Sequence, residues 1–323
     1  MKPAAIQVRN LSVWFENNSV RRQVVERVSF SIKQGEATGL VGESGCGKTI
    51  MTLAIFGLLP ATGVHVESDG IELNGLDISS MNGRQRRAIL GRDIAMIFQQ
   101  PGTALDPVFT IGQQIGAVFR RHVNRDKKLA RLAVMGSLKD VGFSHAEKIA
   151  ASYPHELSGG MRQLAMIAMA TVCKPAVIVA DESTTALDST TRTVILQQLK
   201  RIQALHQTAI LLISHDLSIV KQNCHKVMVM YCGRLLEKAD CGNLFSHPRH
   251  PYSAGLLACI PRICETRPDG IEAIPGQVPS ASKLPQGCHF APRCDRAERQ
   301  CLESVPRLNP GTGDRVACHR PLS

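Results

Sequence analysis

The chain has 323 residues, a formal net charge of +11, 44% hydrophobic residues and only 4% aromatic ones. That length suits one large α/β domain with appendages, and a composition rich in Val, Ile, Leu and Ala suits parallel strands covered by helices on both faces. The basic residues fall in short scattered groups such as Arg84 to Arg87 and Arg120-Arg121, without the aromatic-interleaved stripe of a nucleic-acid binder, so the charge fits an anionic membrane surface better.

No secretory pattern precedes Ile6, and no apolar stretch reaches the ~18 residues of a membrane span, so a cytosolic or peripheral location is expected. Residues 6 to about 34 and 66 to 98 carry short β-type runs (Val28–Ile32, Gly70–Leu73, Ile94–Ile97), which predict an antiparallel β layer plus the first core strands. Between them an apolar run, Ala37 to Val41, ends at Gly42, and residues 42–49 read Gly-Glu-Ser-Gly-Cys-Gly-Lys-Thr ahead of a helical stretch from Ile50 to Leu59. Strand, glycine-rich loop and helix are the context in which a loop cradles phosphates. Gly42, Gly45 and Gly47 let the backbone come close, and the amides of Glu43, Ser44, Cys46 and the helix start, with Ile50, are expected to face the anion. Lys48 is placed to reach the β and γ phosphates of a nucleotide, and the Thr49 hydroxyl to bind Mg²⁺. Cys46 offers mainly its backbone N–H, but a thiol beside Lys48 at a helix N-terminus gives a reason to expect a depressed pKa and reaction with alkylating agents.

From Ile111 to about Ser152 the pattern is helical, with Leu129, Leu132, Ala133 and Leu138 spaced for one apolar face. Tyr153-Pro154 breaks the helix. Ser158, Gly159 and Gly160 then open a helical run, Met161 to Val172, at whose N-terminus they form either an anion clamp or a plain N-cap turn. Val177 to Asp181 is a short apolar run followed by Glu182, the pattern of a buried strand that delivers two carboxylates to a sheet edge. Asp181 suits Mg²⁺ and Glu182 suits polarising an attacking water. A second such strand, Ala209 to Ser214, ends at His215, which is placed either to bond a γ-phosphate or simply to sit at the surface.

In this order the residues resemble the ATP-binding subunits of ABC transporters from about Ile6 to the C-terminus: Walker A (Gly42 to Thr49), Q-loop (Gln99), signature (Leu157 to Met161), Walker B (Val177 to Glu182), D-loop (Ala186 to Asp188) and switch histidine (His215). The resemblance implies a P-loop NTPase of ABC type, α/β, with a RecA-like parallel core, an antiparallel β subdomain and a helical subdomain at about 100–170. It implies ATP and Mg²⁺ as cofactors, with Gln99 sensing Mg²⁺ and the permease, Ser158, Gly159 and Gly160 clamping the γ-phosphate of an opposite protomer, and Asp188 of the D-loop among the nucleotide-binding residues. Phe15, or less well Trp14, would stack on adenine; both would otherwise pack the β subdomain. Two residues depart from the family pattern: Ser183 stands where proline is common, and Leu164 where arginine is usual.

Beyond residue 245 the chain is rich in turns and includes Phe245 to Ser253, Ile274-Pro-Gly276 and Gly287 to Cys294. This tail resembles that of oligopeptide, dipeptide and nickel importers, D-type subunits in particular, and divides the chain into a nucleotide-binding domain, 1–245, and an extension, 246–323, expected to wrap the core. Of eleven cysteines, Cys46, Cys173, Cys224, Cys232, Cys241, Cys259 and Cys264 are scattered, while Cys288, Cys294, Cys301 and Cys318 follow the spacing C-x5-C-x6-C-x16-C. In a cytosolic chain four such thiolates suit a metal centre. The spacing lacks the tight C-x2-C of common zinc sites but does not by itself identify the metal; the resemblance of the tail, several of whose relatives carry a [4Fe–4S] cluster, implies such a cluster here, with structural zinc or another metal, or uncoordinated thiols, as alternatives. The cluster is expected to sit apart from Lys48.

The family resemblance further implies two transmembrane permease subunits, an extracytoplasmic solute-binding protein and a second ATPase subunit, an F-type partner or a second copy. It places the chain at the cytoplasmic face of a bacterial inner membrane. The activity expected is ATP hydrolysis that energises import of di- or oligopeptides or a related solute such as nickel, with no nucleic-acid partner. The alternatives are a soluble ABC ATPase acting on nucleic acid or ribosomes, and an exporter motor.

Overall fold

The computed structural model describes residues 3–17, 20–98, 101–182, 188–260, 273–281, 283–308 and 313–322. The first half contains strands β1 (Ala4–Asn17), β2 (Val20–Lys33) and β3 (Ala37–Val41), helix α1 (Lys48–Phe56), strands β4 (Val64–Glu67), β5 (Gly70–Leu73) and β6 (Leu76–Asp77), helix α2 (Gly83–Ile89) and strand β7 (Ile94–Ile97). Helices α3 (Pro101–Ala104), α4 (Ile111–His122), α5 (Lys127–Asp140), α6 (Ala146–Ala151) and α7 (Gly159–Thr171) follow, then β8 (Val177–Asp181), α8 (Ser189–His206) and β9 (Ala209–Ile213). The remainder holds α9 (Leu217–Asn223), β10 (Lys226–Tyr231), β11 (Arg234–Asp240), α10 (Cys241–Ser246), α11 (Pro251–Ala258), α12 (Arg299–Glu303) and β12 (Arg315–Val316).

The chain divides into two compact units, one of residues 1–7, 31–37 and 71–212, the other of 8–30, 38–70 and 213–323. In the first, the strands run β9-β8-β7, and β7 pairs parallel with β8 from Ile94↔Val177 to Ile97↔Ala180. Every residue of β8 and β9 is buried, as two-sided coverage requires. The helical part is set by its caps: Thr110 and Gln113 form a capping box on α4, and Asp126 accepts from the amides of Lys128 and Leu129 at the start of α5. The face expected for α5 is corrected. Ala130, Val134, Ser137 and Leu138 are buried, whereas Leu129 and Leu132 are 45% and 69% exposed. The buried set has true helical spacing, and its small residues let α5 lie close to α4, α6 and α7; counting apolar side chains alone favoured the wrong stripe.

In the second unit, β10 pairs parallel with β3 (Lys226↔Thr38 to Val229↔Val41) and antiparallel with β11. The edge of β11 is closed by the short β12, through Glu237↔Val316 and Lys238↔Arg315. The tail thus joins the strands that carry the phosphate loop, and the two share one core: Val41, Val229, Tyr231 and Leu236 pack with Tyr252, Cys288, Phe290 and Cys301. β1 and β2 are far longer than the short runs expected, 14 residues each. Polar residues on the exposed ends of the two strands, such as Arg21, Arg22 and Asn17, hide their β character from a hydrophobicity pattern.

Candidate functional site

The phosphate loop forms where the fully buried β3 reaches Gly42. Gly42 has φ 155°, and a Cβ there would lie 2.1 Å from the Met230 carbonyl oxygen on β10, so the loop can leave the strand only through glycine. Gly47, at φ 105°, caps α1, which begins at Lys48, two residues before the expected start, and closes at Gly57 in a left-handed turn, short of Leu59. The Lys48 side chain folds back across the loop: Nζ donates to the carbonyls of Gly42 (2.8 Å) and Glu43 (3.0 Å) and lies 3.6 Å from the Cys46 sulfur. Ser44, Gly45 and Thr49 are exposed and Ile50 is half-buried, so the outward rim includes the hydroxyl assigned to Mg²⁺.

Three expectations about this loop are corrected. The Glu43 amide donates to the Tyr252 hydroxyl (3.0 Å) and the Cys46 amide to the Glu43 carbonyl (3.3 Å), so neither is turned toward an anion. Burial pushes the Cys46 thiol above its ordinary pKa and outweighs the opposing charge of Lys48, and the residue is only 1% exposed, both against the depressed pKa and ready alkylation expected. Nor does the four-cysteine segment stand apart. Arg293, next to Cys294, forks onto the Glu43 carboxylate through Nη1–Oε2 (2.7 Å) and Nη2–Oε1 (3.0 Å).

The carboxylates of the other unit lie at the end of β8. Asp181 is buried, and Glu182 takes a left-handed backbone, φ 44°, which a side-chain-bearing residue adopts at some cost. In the same unit Ser158 caps α7 by accepting from the Met161 amide at 3.3 Å. Gly160 presses on α8: a Cβ there would be 2.5 Å from Thr191. Asp188, the N-cap of α8, holds that same Thr191 through its amide (2.9 Å) and hydroxyl (2.7 Å), and these bonds draw the Asp188 carboxyl below its usual pKa. The signature start and Asp188 are therefore brought together.

His215 follows Ser214, whose amide donates to the Leu40 carbonyl (3.2 Å), so this strand end lies beside the end of β3, two residues ahead of Gly42. Trp14 and Phe15, both half-buried on β1, pair with His65 and Val64 of β4 and face opposite sides, so only one can meet a bound base. Gln99, Ser183, Ala186, Leu187 and Cys264 lie outside the described residues.

Cys288, Cys294, Cys301 and Cys318 line one small cavity together with His250 and His319. Gly287 makes the approach feasible, since a Cβ there would meet the Cys301 carbonyl oxygen at 2.3 Å, and the Cys288 amide donates to that oxygen at 2.7 Å. Burial raises the thiol pKa values of Cys288, Cys294 and Cys318. Among the described residues no three His, Cys, Asp or Glu side chains close to the spacing of a single metal ion. His250 Nδ1 accepts from the Tyr252 amide (3.0 Å), so its neutral ring carries hydrogen on Nε2, which is buried without a hydrogen-bond partner among the described residues. Burial drives the His250 pKa down to about 3. Sequence reasoning missed Arg293, Tyr252 and His250. His250 and Tyr252 lie in the run His-Pro-Arg-His-Pro-Tyr and Arg293 in Ala-Pro-Arg-Cys, but neither run says what its residues touch.

Comparison with known proteins gives matches over both regions. Residues 25–185 match the family described as ABC transporter, and residues 236–301 match the C-terminal region of oligopeptide/dipeptide transporters. The chain is 44% identical over 303 residues to the oligopeptide transport ATP-binding protein AppD of Bacillus subtilis, covering 94% of this chain and 92% of that protein. It is 40% identical over 320 residues to the dipeptide transport ATP-binding protein DppD of Escherichia coli, covering 99% and 97%. Among solved structures, the dimeric post-hydrolysis state of the ATP-binding cassette MJ0796 bound to ADP and Pi is similar in fold, with a TM-score of 0.64 at 23% identity over 73% of this chain and 98% of that one. CbiO1 of Clostridium perfringens gives a TM-score of 0.63 at 26% identity over 76% of this chain and 92% of that one.

Proposed function

From the premise that this chain belongs to the ABC transporter family of ATP-binding subunits, we propose that it hydrolyses ATP to ADP and phosphate to energise a binding-protein-dependent importer of di- or oligopeptides. The observation that carries the importer class is the coexistence, in one chain, of a complete phosphate loop and a tail of the oligopeptide/dipeptide type. Lys48 and the loop backbone hold the phosphates, Glu182 orients the attacking water, and His215 bonds the γ-phosphate. Catalysis is positioning and charge stabilisation, as phosphoryl transfer demands. The Thr49 hydroxyl and the Asp181 carboxylate, with Gln99, are hard oxygen donors of the kind Mg²⁺ takes. Bound there, Mg²⁺ neutralises charge on the β and γ phosphates.

Ser158, Gly159, Gly160 and Asp188 serve the nucleotide of an opposite ATPase subunit. An F-type partner is favoured over a second copy by the likeness of the tail to D-type subunits. No helix among the described residues is long and apolar enough to cross a membrane, and the chain acts peripherally, on permease subunits at the inner leaflet. The test is ATP turnover of the purified assembly with and without peptide-loaded binding protein. Stimulation by peptide is the expected result. Stimulation by nickel chelates but not by any peptide would transfer the proposal to that cargo.

The four tail cysteines hold a [4Fe–4S] cluster in this proposal. Their chemistry suits it: four thiols line one cavity together with His250, whose Nε2 is buried without a hydrogen-bond partner among the described residues. Protein purified without oxygen should be brown, with about four iron and four sulfide per chain, and Cys301→Ser should lose the colour. Folded, colourless, iron-free protein from the anaerobic preparation would end the cluster proposal.

A further inference from the structure

The phosphate loop carries a carboxylate, Glu43, one residue after the glycine at which a polyanion is to be gripped. Unpaired, that charge would oppose phosphate binding, since two like charges a few ångströms apart in a partly desolvated site repel one another strongly. The structure neutralises it from the other end of the chain. Arg293 has a side chain only 4% exposed and is bound to Glu43 in a bidentate fork.

The guanidinium is itself fixed on every side. Its Nε donates to the Pro275 carbonyl (2.8 Å) and its Nη2 to that of Ile274 (3.4 Å), Nη1 reaches the Tyr231 hydroxyl (3.4 Å), and the group lies near the faces of Tyr231 and Phe290. A second tether ends on the same loop residue, because the Tyr252 hydroxyl accepts from the Glu43 amide (3.0 Å). Tyr252, Tyr231 and Phe290 are mutually packed, with ring centroids 4.7 to 5.4 Å apart. The Glu43 carbonyl, between these two tethered groups, is one of the two acceptors that hold Lys48.

We propose that Arg293 and Tyr252 are positioning residues for the phosphate loop, and that through them the four-cysteine segment and the nucleotide site are coupled. The proposal rests on the ATPase assignment. The coupling follows from connectivity: Arg293 precedes Cys294 directly, and Tyr252 is bonded through its amide to His250, which lines the cysteine cavity. Any shift of the cysteine segment moves the guanidinium and hydroxyl that set the charge and pose of Glu43. Linkage makes the effect reciprocal: a nucleotide that favours the clamped loop steadies the cysteine segment by the same free energy.

The test uses the full chain, a fluorescent ADP analogue for affinity, and amide hydrogen exchange over residues 288–301. Arg293→Met should weaken nucleotide binding roughly tenfold or more, the scale of a lost charged hydrogen-bond pair. In wild type, ADP should slow exchange across 288–301, and in Arg293→Met it should not, a readout that a merely structural arginine would leave unchanged. Adding Glu43→Gln to Arg293→Met should restore most of the affinity, since no carboxylate then faces the phosphates, without restoring the exchange effect. A folded Arg293→Met protein with wild-type affinity, or wild-type exchange indifferent to bound ADP, overturns the proposal. If Arg293→Met does not fold, Tyr252→Phe decides: a threefold or larger loss of affinity, as expected from removing one hydrogen-bond acceptor at about 0.5–1.5 kcal/mol, supports it, and unchanged affinity refutes it. Wild-type protein that fails to bind ADP at all would instead remove the ATPase assignment and leave the clamp as a structural contact.

Discussion

Replacing Lys48 with alanine is expected to lower nucleotide affinity on the order of a hundredfold and to abolish turnover while leaving the fold intact. The Lys48 ammonium is the positive centre of the loop, nearly buried and bonded to the carbonyls of Gly42 and Glu43. Without it, those two carbonyl dipoles present their negative ends to an incoming triphosphate, so attraction is replaced by repulsion. Stability should not follow function downward. Residue 48 is the first of α1, alanine has the highest helix propensity, and a buried ammonium held by two carbonyls and, among the described residues, by no carboxylate costs desolvation that alanine avoids. Titration with a fluorescent nucleotide, together with a melting curve, separates the two effects. Near-normal affinity in the variant would mean that Lys48 is a structural brace for the loop.

Glu182→Gln should reduce ATP turnover by about a hundredfold or more, the usual contribution of a positioned general base, with nucleotide binding retained. Glutamine keeps the size and hydrogen-bonding reach of the side chain, so the left-handed backbone of residue 182 (φ 44°) and the packing of Asp181 are preserved. What disappears is the negative charge that polarises water. The variant should accumulate an ATP-bound closed dimer with its ATPase partner, visible by size-exclusion chromatography in the presence of ATP. Unchanged steady-state turnover of the assembly with its permease would remove Glu182 from the chemistry.

What the sequence made legible was local. Val41-Gly42 and Gly47-Lys48 announce the strand exit and the helix start because steric limits on φ act within one or two residues, and Ser158 announces a cap for the same reason. Apolar runs marked β8 and β9 because strands buried on both faces have no polar side to obscure them. The α5 stripe failed because periodicity reports how many apolar residues share a face, not which neighbour arrives to cover it; Leu129 and Leu132 are left outward while Ala130 and Ser137 are enclosed. The Cys46 thiol was misjudged for a related reason: proximity to Lys48 is visible in the sequence, whereas the burial that overrides it is not. The fork of Arg293 on Glu43 spans 250 residues and had no local signal at all.

That same span bears on how the protein is made. Chains emerge N-terminus first, and domains assemble as their segments become available. Glu43 is synthesised early, whereas Tyr252, Arg293 and the closing strand Arg315–Val316 come last. A nascent chain can therefore shape β3 and α1 long before its loop acquires a neutralising partner, and the loop reaches its final electrostatic state only as translation ends. A chain cut before residue 293 would keep the glycine-rich loop and Glu43 but lack the guanidinium that pairs with that carboxylate.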